Sequence, residues 1–391
     1  MYEKRRPITR PVILIFILVA LFISACGTQI ASNSWPGLTA NGDVVYVAYG
    51  AGVIAVDVVA EEQLWSYPEE TNPSLQFYAE PSVNDGRIVL GDYGASGGMF
   101  SPGVKVAVYA LEQSDDDNLS ADWIQDTAAH DRIVAAPVQA EGLVFVGTAD
   151  NFVLALDAET GALEWQFEAE HSIWSTPTYE DGTLYVGSLD KHIYALDAQT
   201  GDLLWEQSLA GSVSGQVAVG EELIYVGSFD KQLHALDKSS GEIRWEAPEG
   251  GTEDWVWAAP VLADDVVYFS DKDGNVFAVE AETGRTIWSA QIGGQVVASP
   301  VVDEGTVFIA SAGQINGDSA DGVRRGALIA LDAETGDELW REETPAPIYS
   351  TPVIVQDTVV VALPPGGENL LLVYNQADGD EIWQYSLPVE E

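Results

Sequence analysis

The sequence predicts an all-β fold, an eight-bladed β-propeller of four-stranded antiparallel blades over residues 34–391. The first sign is a recurring pattern: an alternating apolar strand, an Asp-x-x-Thr-Gly turn, and a short strand closing on tryptophan. YALDAQTGDLLW ends at Trp205, and related runs end at Trp165, Trp245, Trp288 and Trp340, with weaker copies at Trp65, Trp123 and Trp383. The second is spacing. Successive tryptophans lie 58, 42, 40, 40, 43, 52 and 43 residues apart, and a period of about forty marks a repeat architecture. The third is the absence of a helical period: short apolar alternations bounded by Gly, Asp and Asn turns give four strands per repeat, the content of a propeller blade.

Ahead of the repeats, residues 1–25 read as an export signal. Lys4, Arg5, Arg6 and Arg10 form a basic start, Val12 to Ile23 is apolar, and Ser24 and Ala25 are small. The apolar run is shorter than the roughly 20 residues that a membrane span needs. Ile23-Ser24-Ala25-Cys26 resembles a bacterial lipobox, which implies diacylation of Cys26 and an anchor in the cell membrane or outer membrane. Gly27, where an Asp would signal inner-membrane retention, fits outer-membrane sorting. Cys26 is the sole cysteine, and an unpaired thiol in an oxidising compartment is a liability. Residues 26–33 then form a short lipidated linker.

Charge narrows the partners. The chain carries 62 Asp and Glu against 16 Lys and Arg, a net charge of −46. A nucleic-acid ligand is excluded, because binding one requires a basic footprint to displace phosphate counterions. The acidity reads as solubility outside the cell.

Within the repeat ending at Trp205, the pattern predicts strand A over Trp174–Tyr179, B over Thr183–Ser188, C over His192–Leu196 and D over Asp202–Gln207. In the C–D turn, Asp accepts bonds from backbone N–H groups ahead of it, and Gly supplies a positive φ. Gly161, Gly201, Gly241, Gly284, Gly336 and Gly379 hold that place. The tryptophan four residues later lies on the outer strand, covering a neighbouring blade, with its indole N–H reaching a backbone carbonyl. Each such ring buries roughly 150–250 Å², so the eight tryptophans read as structural blade joints. The blades run in phase, and closure relies on packing blade eight against blade one.

Loop lengths point to a binding face. A–B turns are short throughout, whereas long insertions fall in B–C loops (Gly91–Gly103, Ser311–Arg325, Pro364–Asn369) and D–A connections (Ser66–Phe77, Ile124–Ile133, Ala247–Trp255). Antiparallel order puts both classes on one face, and long loops on a rigid scaffold are where binding sits. At the start of strand A the same face presents Trp35, Tyr78, Trp174, Trp257 and Tyr349, a candidate partner-binding rim. The competing reading is a packed plug around the channel. Glu253, Asp254, Asp318 and Asp321 would select basic neighbours on a partner.

The repeat resembles the quinoprotein-type repeat, the tryptophan-docking motif shared by quinoprotein alcohol dehydrogenases and the BamB-like lipoprotein family. The resemblance runs from Ser34 to Leu387. It implies the propeller and, on the BamB side, a non-catalytic, monomeric scaffold without cofactor. Such a scaffold would face the periplasm or exterior and dock onto an envelope protein or peptide during outer-membrane protein assembly. The alternatives are a quinone-dependent dehydrogenase and an envelope sensor or carbohydrate binder using the rim. A quinoprotein dehydrogenase would require a calcium site, a base and, in many members, a vicinal disulfide that one cysteine cannot form. Asp271-x-Asp273-x-Asn275 opens like a calcium loop but lacks the terminal Glu. Ser188-x-x-Lys191 and Ser228-x-x-Lys231 occupy one repeated hairpin and read as turn chemistry. His130, His171, His192 and His234 fall in different blades without metal-ligand spacing.

Overall fold

The computed structural model describes residues 36–69, 72, 75–96, 104–113, 119–313 and 324–387. The export signal, Cys26 and Trp35 lie outside them. Among the described residues, eight four-stranded antiparallel sheets follow one another, each built from its own run of chain. The blade ending at Trp205 comprises Thr178–Glu180, Thr183–Gly187, His192–Asp197 and Leu203–Ser208. The B–C loop of blade two adds a two-stranded ribbon, Ala95–Ser96 against Val104–Lys105, which the pattern did not foretell.

Strand A is shorter than its sequence suggests, and the reason is backbone chemistry. Pro177 has no N–H to give to a ladder, so pairing with strand B starts only at Thr178, opposite Tyr185. Side chains on either side of Pro177 bond sideways to neighbouring blades. Ala136 N donates to Thr176 Oγ1 of the next blade at 3.2 Å, and Thr178 Oγ1 donates to Val217 O at 2.9 Å.

The core lies between blades. Phe145, Val153 and Ala155 of blade three pack on Leu184, Val186 and Leu196 of blade four, and the same arrangement closes the ring, where Val45, Val47 and Ile54 meet Val360, Leu371 and Val373. At this seam Gln356 Nε2 donates to Asp43 Oδ1 at 2.9 Å, and the Tyr385 hydroxyl donates to Gln63. Among the described residues, no sheet shares a strand with another.

The joint repeats with small variation. Trp165 Nε1 donates to Ala198 O of the following blade at 3.0 Å, Trp205 to Lys238 O at 3.1 Å, Trp288 to Ala333 O at 2.9 Å and Trp340 to Gln376 O at 2.8 Å. Trp245 Nε1 and the Tyr225 hydroxyl both donate to Ala281 O, at 3.1 Å each. The Asp turn that presents this carbonyl is itself tied. Asp157 Oδ1 accepts from the Thr160 hydroxyl at 2.6 Å and Thr160 N at 2.8 Å, and bonds from the Ser239 and Ser240 hydroxyls hold the Asp237 carboxyl down to about 2.

Glycine in this turn has two reasons to be there. Gly201 has φ +74°, as the sequence anticipates. In addition, a Cβ on Gly201 would stand 2.6 Å from Trp165 Cε3, because the ring of the preceding blade lies flat on it. Gly161 under Trp123, Gly336 under Trp288 and Gly379 under Trp340 repeat the contact. At the seam, Glu61 occupies the glycine place with φ 58°.

A pair of alanine substitutions separates the two reasons. Gly182, in the A–B turn, has φ +81° and open space around it, so Gly182→Ala carries only the left-handed backbone cost of about 1–2 kcal/mol. Gly201→Ala must also displace the Trp165 ring and should lower the melting temperature clearly further. Equal losses by calorimetry would remove the ring contact as a reason for glycine.

Candidate partner-binding face

On the face of the B–C turns and D–A connections, a backbone ladder joins consecutive blades. Leu189 N donates to Ser172 O, Phe229 N to Ser212 O and Lys272 N to Trp255 O, each at 2.9–3.0 Å. Hydroxyls reinforce it in the regular blades, where Ser172 Oγ donates to Ala149 O at 2.7 Å and Ser212 Oγ to Leu189 O at 2.8 Å. Blade six breaks the rule by placing Trp255 where Ser172 and Ser212 stand. Its ring stacks on Phe229 (centroids 4.8 Å, 13°), and Phe229 stacks in turn on Trp257 (5.0 Å, 22°). Lys272 Nζ lies 5.2 Å from the Trp255 centroid, and Trp255 remains 38% exposed.

The loop carrying Trp255 is pinned from below by Asp271, which is fully buried. Its carboxylate accepts from Glu253 N at 3.1 Å, Asp254 N at 3.4 Å, Asn275 N at 2.9 Å and Asn275 Nδ2 at 2.7 Å. That donor set of N–H groups explains the Asp271-x-Asp273-x-Asn275 run as a loop anchor. A second stack stands on blades two and three, where Tyr93 meets Tyr78 edge-on at 5.1 Å and Arg132 lies 5.2 Å over the Tyr93 ring. Beneath it Asp92 accepts from Gln76 N and Gly94 N, and burial pushes its carboxyl up.

Of the five rim residues read from the sequence, Trp35 lies outside the described residues. Tyr78, Trp174, Trp257 and Tyr349 are all half-buried, each between two buried neighbours such as Ile173 and Ser175. Tyr78 and Trp257 meet Tyr93 and Phe229, so these two rings contact loop residues. Glu253 and Asp254 flank Trp255; Asp318 and Asp321 lie outside the described residues.

The remaining candidates are accounted for within the turns. Asp190 N donates to Ser188 Oγ at 3.1 Å and Asp230 N to Ser228 Oγ at 3.3 Å. His234 is buried with Nε2 3.1 Å from Asp230, in the place where the Tyr194 hydroxyl donates to Asp190 at 2.9 Å. Among the described residues, no three His, Cys, Asp or Glu side chains are grouped to hold a metal ion.

Sequence reasoning missed Phe229, Trp255, Lys272 and Glu80. A signal existed for two of them: Trp255 replaces a serine at a repeated position, and Glu80 precedes Pro81 where other blades carry Thr176, Ala259 or Thr351. Glu80 is half-buried in the inner segment of blade two, and burial pushes its carboxyl up to about 7.

The Glu80 displacement has a signed consequence. Between the ordinary glutamate value and about 7 the folded protein binds a proton that the unfolded chain releases, so stability falls as pH rises through that window. Glu80→Gln should therefore raise stability by up to about 3 kcal/mol at about pH 8 and leave it unchanged at about pH 4. Denaturant titrations at both pH values check this, and an equal effect at both would contradict it.

The profile of the family described as outer membrane protein assembly factor BamB matches residues 104–255, 190–298 and 298–391. Among curated proteins, the chain is similar to the outer membrane protein assembly factor BamB of Nitrosomonas eutropha, 28% identical over 126 residues, covering 32% of this chain and 27% of that protein. It is also similar to the tetrathionate hydrolase of Acidithiobacillus ferrooxidans, at 29% over 141 residues (32% and 28%), and to a quinohemoprotein alcohol dehydrogenase of Comamonas testosteroni, at 27% over 150 residues (34% and 20%). The chain thus spans less than a third of the length of these relatives. The crystal structure of BamB from Moraxella catarrhalis superposes with a TM-score of 0.67 at 20% identity, covering 86% of this chain and 95% of that one, a likeness of fold. Since the profile covers the chain from residue 104 to its last residue, this β-propeller belongs to the BamB outer membrane protein assembly factor family.

Proposed function

We propose that the protein is a non-catalytic envelope scaffold, lipid-anchored through Cys26, that captures a protein partner on the loop face. The observation that carries this reading is the stack of Trp255 on Phe229 on Trp257, part-exposed and fixed by a buried carboxylate. Aromatic anchors of this kind dominate binding hot spots. Glu253 and Asp254 beside the stack, on a strongly acidic protein, favour a partner with basic residues. The tryptophan joints, on which the resemblance to quinoproteins rests, hold the blades together in this chain. The described donors do not fit a calcium-held quinone: Asp271 is satisfied by N–H groups, and Glu80 stands without a second acid in its ring.

Two measurements test the proposal. Phe229→Ala with Trp255→Ala should weaken capture of an envelope partner by more than about 2 kcal/mol, while Glu141→Lys on the opposite face leaves it unchanged. A folded double variant that captures as well as the wild type would remove the stack from the interface. Separately, Cys26→Ser should move the protein from the membrane to the soluble exported fraction, since each buried acyl CH₂ contributes about 0.8 kcal/mol; unchanged sedimentation with membranes would end the lipid-anchor claim.

A further inference from the structure

Two rows of side chains line the inner ring, one step apart. Alternate residues of an extended segment face the same way, so Tyr78 is followed by Glu80, Trp174 by Thr176, Trp257 by Ala259 and Tyr349 by Thr351. The residues between them, Ala79, Ser175, Ala258 and Ser350, are buried, whereas both members of each pair keep partial exposure. Adjacent inner segments touch directly. Ala259 N donates to Ser299 Oγ at 3.1 Å, Ser299 N donates to Thr351 Oγ1 at 3.3 Å, and a Cβ on Gly37 would stand 2.5 Å from the Ala79 carbonyl carbon.

In the deeper row Glu80 is the sole ionisable side chain; the rest, including Gly37, Gln216 and Thr351, are small or neutral. Its carboxylate accepts no hydrogen bond from a described residue, and burial alone displaces its titration. The titratable groups in the neighbouring row are the Tyr78 and Tyr349 phenols, with Tyr93 against Tyr78 and Arg132 over the Tyr93 ring. A carboxylate in this setting is a costly buried group until something donates to it.

The geometry points to the channel mouth as the receptor for a cationic side chain of the partner: an arginine or lysine on a protruding loop, its head seated on Glu80 and its stem passing the Tyr78, Trp174, Trp257 and Tyr349 rings. This rests on the partner-binding reading and specifies its chemistry. Ring faces attract cations, the carboxylate supplies charge-assisted hydrogen bonds, and the net charge of −46 steers a basic loop inward. Seating the cation ionises Glu80, so binding below pH 7 expels a proton and affinity rises with pH.

The probe is acetyl-Gly-Arg-Gly-amide, with its citrulline counterpart as an uncharged match, titrated into the purified protein and followed by tryptophan fluorescence. The arginine peptide should bind about tenfold more weakly to Glu80→Gln, and the citrulline peptide about tenfold more weakly to the wild type. Affinity for the wild type should fall from about pH 8 to about pH 5.5, a dependence that Glu80→Gln abolishes. Asp181→Asn, in a turn on the opposite face, should bind as the wild type does. Should Glu80→Gln melt early, Trp174→Ala provides the second reading, with a severalfold loss. Equal binding by wild type and Glu80→Gln, or of both peptides, overturns the inference. The assay needs no partner: a partner captured equally by Glu80→Gln and wild type counts against the cation seat alone, whereas failure to capture any partner counts against the scaffold.

Discussion

An indole laid across a glycine is the contact on which the ring depends. Each blade is apolar on both faces, so hydrophobic burial alone would let neighbouring blades slide. The tryptophan removes that freedom. Its ring requires the bare Cα of Gly201 or its equivalents, and its N–H fixes distance and rotation against one carbonyl. A net hydrogen bond contributes only about 1 kcal/mol, but among the described residues it recurs at the six joints from Trp123 to Trp340. The Asp turn matters because it holds both the glycine and the carbonyl in place. With the blades also set by contacts on their outer strands, the loop face can keep its backbone ladder while a side chain such as Trp255 departs from the repeat.

Much of this was legible because repetition turns weak local signals into a pattern. Eight tryptophans, six of them with Gly four residues earlier, give the blade number, the turn chemistry and the outer position of the indole. What periodicity cannot show is contact between repeats. The flat seating of Trp165 on Gly201 joins residues from different blades, and so does the stacking of Trp255 on Phe229. Nor does an average repeat disclose an exception: Trp255 in place of Ser172, or Glu80 in place of Thr176, appears only when blades are aligned position by position. Strand A was overextended for a simpler reason. Its apolar alternation continues through Pro177, but the hydrogen-bond ladder does not.

Asp271 shows how an acid suggestive of metal binding serves the loop face instead. Buried without a counter-charge, it draws four N–H donors from the Trp255 loop and Asn275. The loop is thereby set before any partner arrives. Such preorganisation lowers the ordering cost of association, which is what the proposed capture of a partner on this face would require of a modest aromatic surface.

Among the described residues the ring closes without a shared strand, and this bears on how the chain is threaded. Because every sheet is completed by its own contiguous segment, a blade's neighbours in space do not depend on where translation begins. The last blade meets the first across Gln356 with Asp43 and Tyr385 with Gln63, so the described segment starts and finishes at one seam. Circular permutation, with the old ends joined and new ones opened in another D–A connection, would leave all eight sheets whole. Blade number in such an architecture can change by duplication or loss of a single unit, with the seam as the natural place for insertion.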